Sequence, residues 1–98
     1  MAKKNLRFIY TAYMLTGDRR NRQKRRVTVA LGSIRQDEFF LAKREGLKPK
    51  AMIYVHSVDY KDEELIEFKG SVMSVYRTYP NEETGLTEIY LLEKAGEQ

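Results

Sequence analysis

The segment Arg19–Arg26 concentrates the most distinctive chemistry of this chain. It holds six basic residues within eight positions: Arg19, Arg20, Arg22, Lys24, Arg25 and Arg26. Arginine binds phosphate and carboxylate oxygens through paired hydrogen bonds, and such contacts to a nucleic-acid backbone recognise no particular base. Asn21 and Gln23 add hydrogen-bonding groups, but no aromatic residue interrupts the run, which argues against stacking on bases. The segment therefore predicts contacts through charge.

The other polar residues do not form a pattern typical of catalysis. The single histidine, His56, lies in an apolar strand without the partners of a catalytic triad or a zinc site. Asp62, Glu63 and Glu64 are consecutive, and such acids in a turn are usually solvated; they lack the alternating spacing of a calcium loop. We therefore expect no enzymatic activity, no metal and no cofactor.

The length and composition predict one globular domain over residues 1–98. Hydrophobic residues make up 42% of the chain and charged residues 33%, a balance that favours folding over disorder. Cysteine is absent, which excludes disulfides and thiolate metal sites within the chain. No apolar run approaches the roughly 20 residues of a membrane span, and the first residues do not resemble a signal peptide. We expect synthesis in the cytoplasm and no membrane contact.

Charge is distributed unevenly along the chain. Residues 1–26 carry nine basic groups and one acid, whereas residues 27–98 carry nine basic groups and thirteen acids. A molecule with one positive pole and a negative body suits head-to-tail packing of identical subunits.

The basic segment is expected to lie between two strands. Leu6–Leu15 is rich in aromatic and β-branched residues, and a second alternating strand begins at Val27. A turn signal at Gly17 starts the connection. The residues between the strands form an expected hairpin loop at 18–26, which is longer than most hairpin loops and is anchored at both ends.

One helix is predicted over residues 34–45. Ser33 and Gln36 have the spacing of a capping box, and Gly46 suits the left-handed position after the last turn. Phe39, Phe40 and Ala42 are expected to cover one end of the sheet.

Four more strands are predicted after the helix. Their expected bounds are residues 51–60, 65–70, 72–79 and 86–94. Six short strands separated by turn signals predict a mainly β fold, a small antiparallel barrel or compact sandwich with one short helix.

The chain from Ser33 to about Gly96 resembles the head-closure, or head–tail joining, proteins of long-tailed bacteriophages. The resemblance rests on a short helix ending in "AKREGLKP", the strand "MIYVHSVDY", an acidic turn, "IEFKG", then "YRTY" and "TEIYLLEK". "YRTY" is its most distinctive piece. The order of the pieces over about 60 residues carries more weight than any single one.

The resemblance implies a structural role. Such proteins are small β-barrel subunits that form a homo-oligomeric ring below the portal and adaptor, retain the packaged DNA and dock the tail. It implies a location at the head–tail junction of the virion, with portal, adaptor and tail proteins as partners. It also implies subunit contacts through the helix around Phe39 and Phe40 and through exposed strand edges.

Three interpretations of the basic loop remain open at this point. The six side chains are solvated without a partner, or they contact DNA that passes through the ring, or they dock on an acidic patch of a neighbouring protein. The alternative function is a small nucleic-acid-binding module that uses loop 19–26 for non-specific phosphate contacts. A regulator that inserts the loop into an acidic site of a host protein is a third, weaker class.

Overall fold

The computed structural model describes residues 6–18 and 20–93. These residues form one α-helix and six strands: β1 (Tyr10–Thr16), β2 (Gln23–Leu31), α1 (Gln36–Arg44), β3 (Pro49–His56), β4 (Leu65–Phe68), β5 (Ser71–Asn81) and β6 (Leu86–Glu93). The strands are antiparallel and close into a barrel in the order β1-β2-β3-β6-β5-β4. The predicted small antiparallel barrel is therefore confirmed.

The barrel interior is filled by alternate residues of the strands. Because successive strand residues point to opposite faces, Val27 and Val29 of β2 enter the core while Thr28 between them is exposed. The buried core consists of Ala12, Met14, Val27, Val29, Ile53, Val55, Ile66, Phe68, Met73, Ile89 and Leu91. These side chains come from all six strands, so the core depends on closure of the barrel.

A second buried layer lies outside the barrel. Met52 of β3 pairs with Tyr90 of β6, and both alternate with core residues, so they face outward. Their exposed fractions are nevertheless 2% and 0%, and Ala42 of α1 is equally buried. The helix therefore covers the outer face of this part of the sheet.

The helix begins later than expected, and the predicted capping box is wrong. Arg35 is the N-cap residue, and its side chain makes no capping hydrogen bond. The extended chain persists to Gly32, whose N–H donates to the carbonyl oxygen of Met52, so Ser33 falls two residues before the N-cap. The expected ending is confirmed: Gly46 has a φ of +78°. The N–H groups of Gly46 and Leu47 donate to carbonyls of the last turn.

The side of the helix that contacts the barrel also differs from the prediction. Glu38 and Ala42, one turn apart, are buried, whereas Phe39 and Phe40 are 45% and 54% exposed. The expectation that the two phenylalanines cover one end of the sheet is wrong. The reason is that β5 presents polar partners to Glu38 at this contact.

The hairpin loop is shorter than predicted. Residues 23–26, expected in the loop, belong to β2 and pair with β1, so the connection spans residues 17–22. Gly17 has a φ of +81°, and a Cβ there would lie 2.2 Å from the carbonyl oxygen of Asn21. Only glycine fits this tight turn.

The connection from β3 to β4 closes one end of the barrel. β3 ends at His56, four residues earlier than predicted, and a short 3-10 turn follows at Ser57–Asp59. Since β3 and β4 lie on opposite sides in the closed order, the connection crosses the barrel end. The ring of His56 stacks on Phe8 with a centroid distance of 4.4 Å.

Closure of the barrel removes most of the exposed strand edges that we expected. The two longest segments with a single neighbouring strand among the described residues are 23–29 of β2, which pairs with β1, and 77–81 of β5, which pairs with β6. Both belong to hairpins that reach the same end of the barrel. Within residues 6–18 and 20–93, no helix is long and apolar enough to cross a membrane.

Candidate functional site

The six basic residues of the predicted loop occupy different environments. Arg19 lies outside the described residues. Arg20 is exposed in the turn, and Arg22 is partly buried there. Lys24, Arg25 and Arg26 follow on β2. We call the segment Tyr10–Leu31, which contains β1, β2 and this turn, the basic hairpin.

The turn of the basic hairpin is ordered by a carboxylate. Oδ1 of Asp18 accepts hydrogen bonds from the backbone N–H groups of Arg20 and Asn21, at 3.0 and 2.9 Å. Such a local bond replaces the backbone pairing that ends at Thr16 and Gln23. The negative charge of Asp18 thus serves the turn itself.

Lys24 forms an ion pair on the outer surface of the barrel. Its Nζ lies 2.9 Å from Oε1 of Glu67 on β4 and 5.6 Å from the ring centre of Tyr13. The register explains the contact, because Tyr13 stands opposite Glu67 on one side and Arg26 on the other. Lys24 therefore fastens β2 to β4 across β1.

Arg25 is paired with a buried acid at the barrel end. It shares the inward-facing row of Val27 and Val29, so its side chain leaves the strand toward the connection that covers the core. There the guanidinium donates to Oε2 of Glu63, whose side chain is only 4% exposed. The bond joins the basic hairpin to the β3–β4 connection.

The backbone of the connection also holds Glu63 in place. The N–H of Lys61 donates to its Oε1 at 2.9 Å, and the Tyr60 hydroxyl donates to its carbonyl oxygen at 2.8 Å. Burial by itself would raise the pKa of the Glu63 carboxyl, but the bonds from Arg25 and Lys61 outweigh burial and lower it. Glu63 thus stays ionised and stabilises the guanidinium of Arg25.

These ion pairs limit the charge that the hairpin can present to DNA. Six phosphate contacts would make log K for duplex DNA fall with log salt at a slope of roughly −5. With Lys24 and Arg25 held by carboxylates, at most four of the six remain, and we expect a slope no steeper than about −3.6. A salt titration of DNA binding measures it. A slope near −5 would mean that Glu63 and Glu67 release their partners.

The buried side chain of Glu38, on the barrel side of α1, is the centre of a second polar cluster. Oε2 of Glu38 accepts a hydrogen bond from Nε of Arg77 at 2.8 Å, and Oε1 accepts one from the Tyr79 hydroxyl at 3.1 Å. Arg77 also bonds Glu45 at 3.0 Å through Nη2. These bonds raise the pKa of Arg77 further above its already high value. The cluster fastens both ends of the helix to β5.

Tyrosine rings surround this cluster on the outer face of the sheet. Tyr76 and Tyr79 both meet the ring of Tyr90 edge to face, with centroid distances of 6.1 and 5.7 Å. The Arg77 guanidinium lies 5.4 Å from the ring centre of Tyr76. Burial, followed by the negative charge of Glu38, raises the pKa of the Tyr76 hydroxyl. The "YRTY" segment therefore binds the helix to the barrel.

Three consecutive apolar residues of α1 have exposed side chains. Phe39, Phe40 and Leu41 are 45%, 54% and 37% exposed, and the two phenyl rings meet edge to face at 6.5 Å. An open groove of about 370 Å³ runs from Phe40 and Leu41 to Glu38 and Tyr79, so it borders the polar cluster. We call Phe39–Leu41 the helix patch.

A third ordered feature is the turn between β5 and β6, which we call the acidic turn (Glu82–Gly85). Oδ1 of Asn81 accepts hydrogen bonds from the N–H groups of Glu83 and Thr84. The N–H of Gly85 donates to the carbonyl oxygen of Asn81, and the Gly85 carbonyl accepts from Ser57 of the connection. The turn is thus fixed while the carboxylates of Glu82 and Glu83 remain exposed.

Sequence reasoning missed Glu38 and Glu63. Glu63 is one of three consecutive acids, and nothing local distinguishes it from Asp62 and Glu64. Glu38 occupies the first turn of a helix, where an acid is expected for electrostatic reasons alone. Their partners lie 39 and 38 positions away, so only long-range co-variation among related sequences could have found them.

Metal binding has no candidate in the part of the chain that the structure describes. No group of three or more histidine, aspartate or glutamate side chains there could hold a metal ion. Comparison of the chain with protein-family models, with curated proteins and with solved structures finds no match.

Proposed function

We propose that this protein is a structural subunit of the head–tail connector of a long-tailed bacteriophage. In this role it assembles as a ring below the portal and adaptor, retains the packaged DNA and provides a docking surface for the tail. The order of elements from Ser33 onward, which resembles the head-closure proteins, supports the proposal. The observation that carries it is the helix patch, because a monomer would gain nothing from exposing it.

The energetics of the helix patch favour a partner. Fully burying a phenylalanine side chain is worth about 1.5–3 kcal/mol relative to leaving it in water. Since Phe39 and Phe40 are each about half exposed, a partner that covers them would gain on the order of 1 kcal/mol from each. The polar cluster around Glu38 holds the helix in one place, so the helix loses little conformational freedom when a partner binds.

The direct test is electron microscopy of lysates in which this gene carries a nonsense mutation, made in the phage or induced prophage that encodes it. We expect free tails beside tailless heads that have lost their DNA. Intact, full and tailed particles from the mutant would contradict the proposal. Complementation with the normal gene is the control for effects on neighbouring genes.

Substitutions in the helix patch test whether this surface is used for assembly. We expect Phe39→Ser/Phe40→Ser to lower the free energy of unfolding by about 2 kcal/mol, because the buried half of each side chain contributes on the order of 1 kcal/mol. The same variant should fail to restore tailed particles in the complementation assay.

Lys43→Ser is the matched control for this variant, since Lys43 is an exposed polar residue of the same helix. It should complement normally. Normal complementation by the double phenylalanine variant would exclude the helix patch as the assembly surface.

DNA binding by the basic hairpin is the alternative function. Its support is the exposure of Arg20 and Arg26 at one end of the barrel. The salt titration described above separates the two functions, since binding of duplex DNA by the isolated subunit is needed only for the alternative.

A further inference from the structure

We infer that two copies of this protein contact each other side by side, with the basic hairpin of one copy against the acidic turn of the next. The inference rests on the proposed ring and names the surfaces that would join its subunits. The partner is a second copy of the same chain in the same orientation.

The strand directions place the two features at one end of the barrel. β1 and β5 are both antiparallel to β4, so they run in the same direction. β1 leads into the turn of the basic hairpin, and β5 leads into the acidic turn. Both turns therefore lie at the end that the β3–β4 connection covers.

The closed strand order places the same two features on opposite sides of the barrel. β3 separates β2 from β6, and β4 separates β1 from β5. The two hairpins are thus as far apart around the barrel as six strands allow. When barrels stand side by side in one orientation, the basic hairpin of each can face the acidic turn of its neighbour.

The exposed charges on the two features are complementary. Arg20 and Arg26 are exposed and make no ion pair with another described residue. Glu82 and Glu83 are likewise exposed and unpaired among the described residues. Carboxylates already hold Lys24 and Arg25, and backbone N–H groups bind Asp18. Among the described residues, Arg20 and Arg26 on one feature and Glu82 and Glu83 on the other are therefore the exposed charges without an ion pair.

This charge arrangement favours a head-to-tail contact. Like features repel each other, so hairpin against hairpin or turn against turn is unfavourable. When two identical subunits join through two different surfaces, the pair still has one free copy of each surface. Further subunits can therefore add through the same contact, and the assembly closes into a ring when the rotation between neighbouring subunits permits. Both features are already ordered by internal hydrogen bonds, which reduces the entropy lost on contact.

Disulfide trapping tests the contact, since the chain contains no cysteine of its own. We propose the double variant Asn21→Cys/Glu82→Cys, which places one thiol on each feature and keeps Arg20, Arg26 and Glu83. Oxidation of the concentrated protein at low ionic strength should produce a ladder of species larger than a dimer on a non-reducing gel. Each single-cysteine variant should stop at the dimer.

Charge reversal provides the specificity control. Adding Glu83→Lys to the double-cysteine variant should remove the ladder. Adding Arg20→Glu and Arg26→Glu as well should restore part of it, because these two exposed positions of the hairpin are then negative and face the reversed charge on the turn. A ladder that ignores these changes would show that the thiols meet by chance collision and would overturn the inference.

Two other outcomes would also overturn the inference. A double-cysteine variant that yields no product beyond those of the single variants would exclude the contact. One that yields only a doubly linked dimer would indicate an end-to-end pair instead. In either case, a nonsense mutant that still releases separate heads and tails would leave the proposed function intact, so the two failures are distinguishable.

Discussion

Replacing Glu38 with alanine is expected to lower the free energy of unfolding by about 3–5 kcal/mol, as when one partner of a buried ion pair is removed. The Glu38 side chain is 3% exposed and accepts bonds from both Arg77 and Tyr79. Its loss leaves the Arg77 guanidinium with only the half-exposed Glu45 and leaves the Tyr79 hydroxyl without its acceptor. For a domain of this size, each 1 kcal/mol corresponds to a shift of about 4–8 °C in Tm.

Two further variants decide whether the loss of stability in Glu38→Ala comes from leaving a buried charge without its partner. Glu45→Ala removes the exposed partner of the same arginine and should cost no more than about 1 kcal/mol. Glu38→Leu/Arg77→Met removes both charges and should recover much of the loss, because neither group is then buried without a partner. Urea unfolding followed by circular dichroism measures all three. Equal losses for Glu38→Ala and Glu45→Ala would contradict the interpretation.

Replacing Glu63 with glutamine is expected to cost about 1.5–3 kcal/mol, the usual contribution of a hydrogen bond to a charged group. The substitution keeps the shape of the side chain but removes the negative charge that holds Arg25. The basic hairpin should then separate more readily from the β3–β4 connection. Hydrogen exchange should be faster in β2 between Gln23 and Val27, while the core of β6 remains protected.

The neighbouring acid provides a matched control. Glu64 is exposed and makes no ion pair with a described residue, so Glu64→Gln should change stability by about 0.5 kcal/mol or less. If the two glutamine variants are equally stable, the Arg25–Glu63 bond does not hold the hairpin.

The contribution of Glu63 should also depend on pH. Its pKa is lower in the folded protein than the ordinary value of 4.5, so the unfolded chain binds the proton more readily. The stabilisation is therefore complete above pH 4.5 and is lost as the pH falls through the folded-state pKa. We expect the stability difference between the unmodified protein and Glu63→Gln to shrink in this acidic range. A difference that grows on acidification would have the wrong sign.

Strand positions could be predicted because their signal is local. Val27 and Val29 of β2 are apolar and Thr28 between them is polar, which is the two-residue period of a strand. The end of the helix was equally local, since Gly46 supplies the left-handed conformation and Pro49 follows closely. The start of the helix did not depend on local sequence alone. Gly32 still pairs with β3, so the helix begins after Ser33.

The composition of the basic segment did not predict the environments of its side chains. Six cations in eight positions predicted a charged loop, yet Lys24 and Arg25 are strand residues held by Glu67 and Glu63. A run of like charges normally opposes a strand, and the carboxylates of β4 and the connection offset that repulsion. Those carboxylates are about 40 residues away in the chain, so no local pattern contains them.

The sequence by itself determined the absence of cysteine, the presence of six strands and one short helix, and a basic segment that begins in the turn after the first strand. These features depend on residue type and short-range spacing. The tertiary structure decided the closure of the barrel, the burial of Glu38 and Glu63, and the outward direction of Phe39 and Phe40. The physical reason is that burial and pairing are set by whichever groups meet across the fold, and Arg77 and Arg25 reach their acids only when distant strands are brought together.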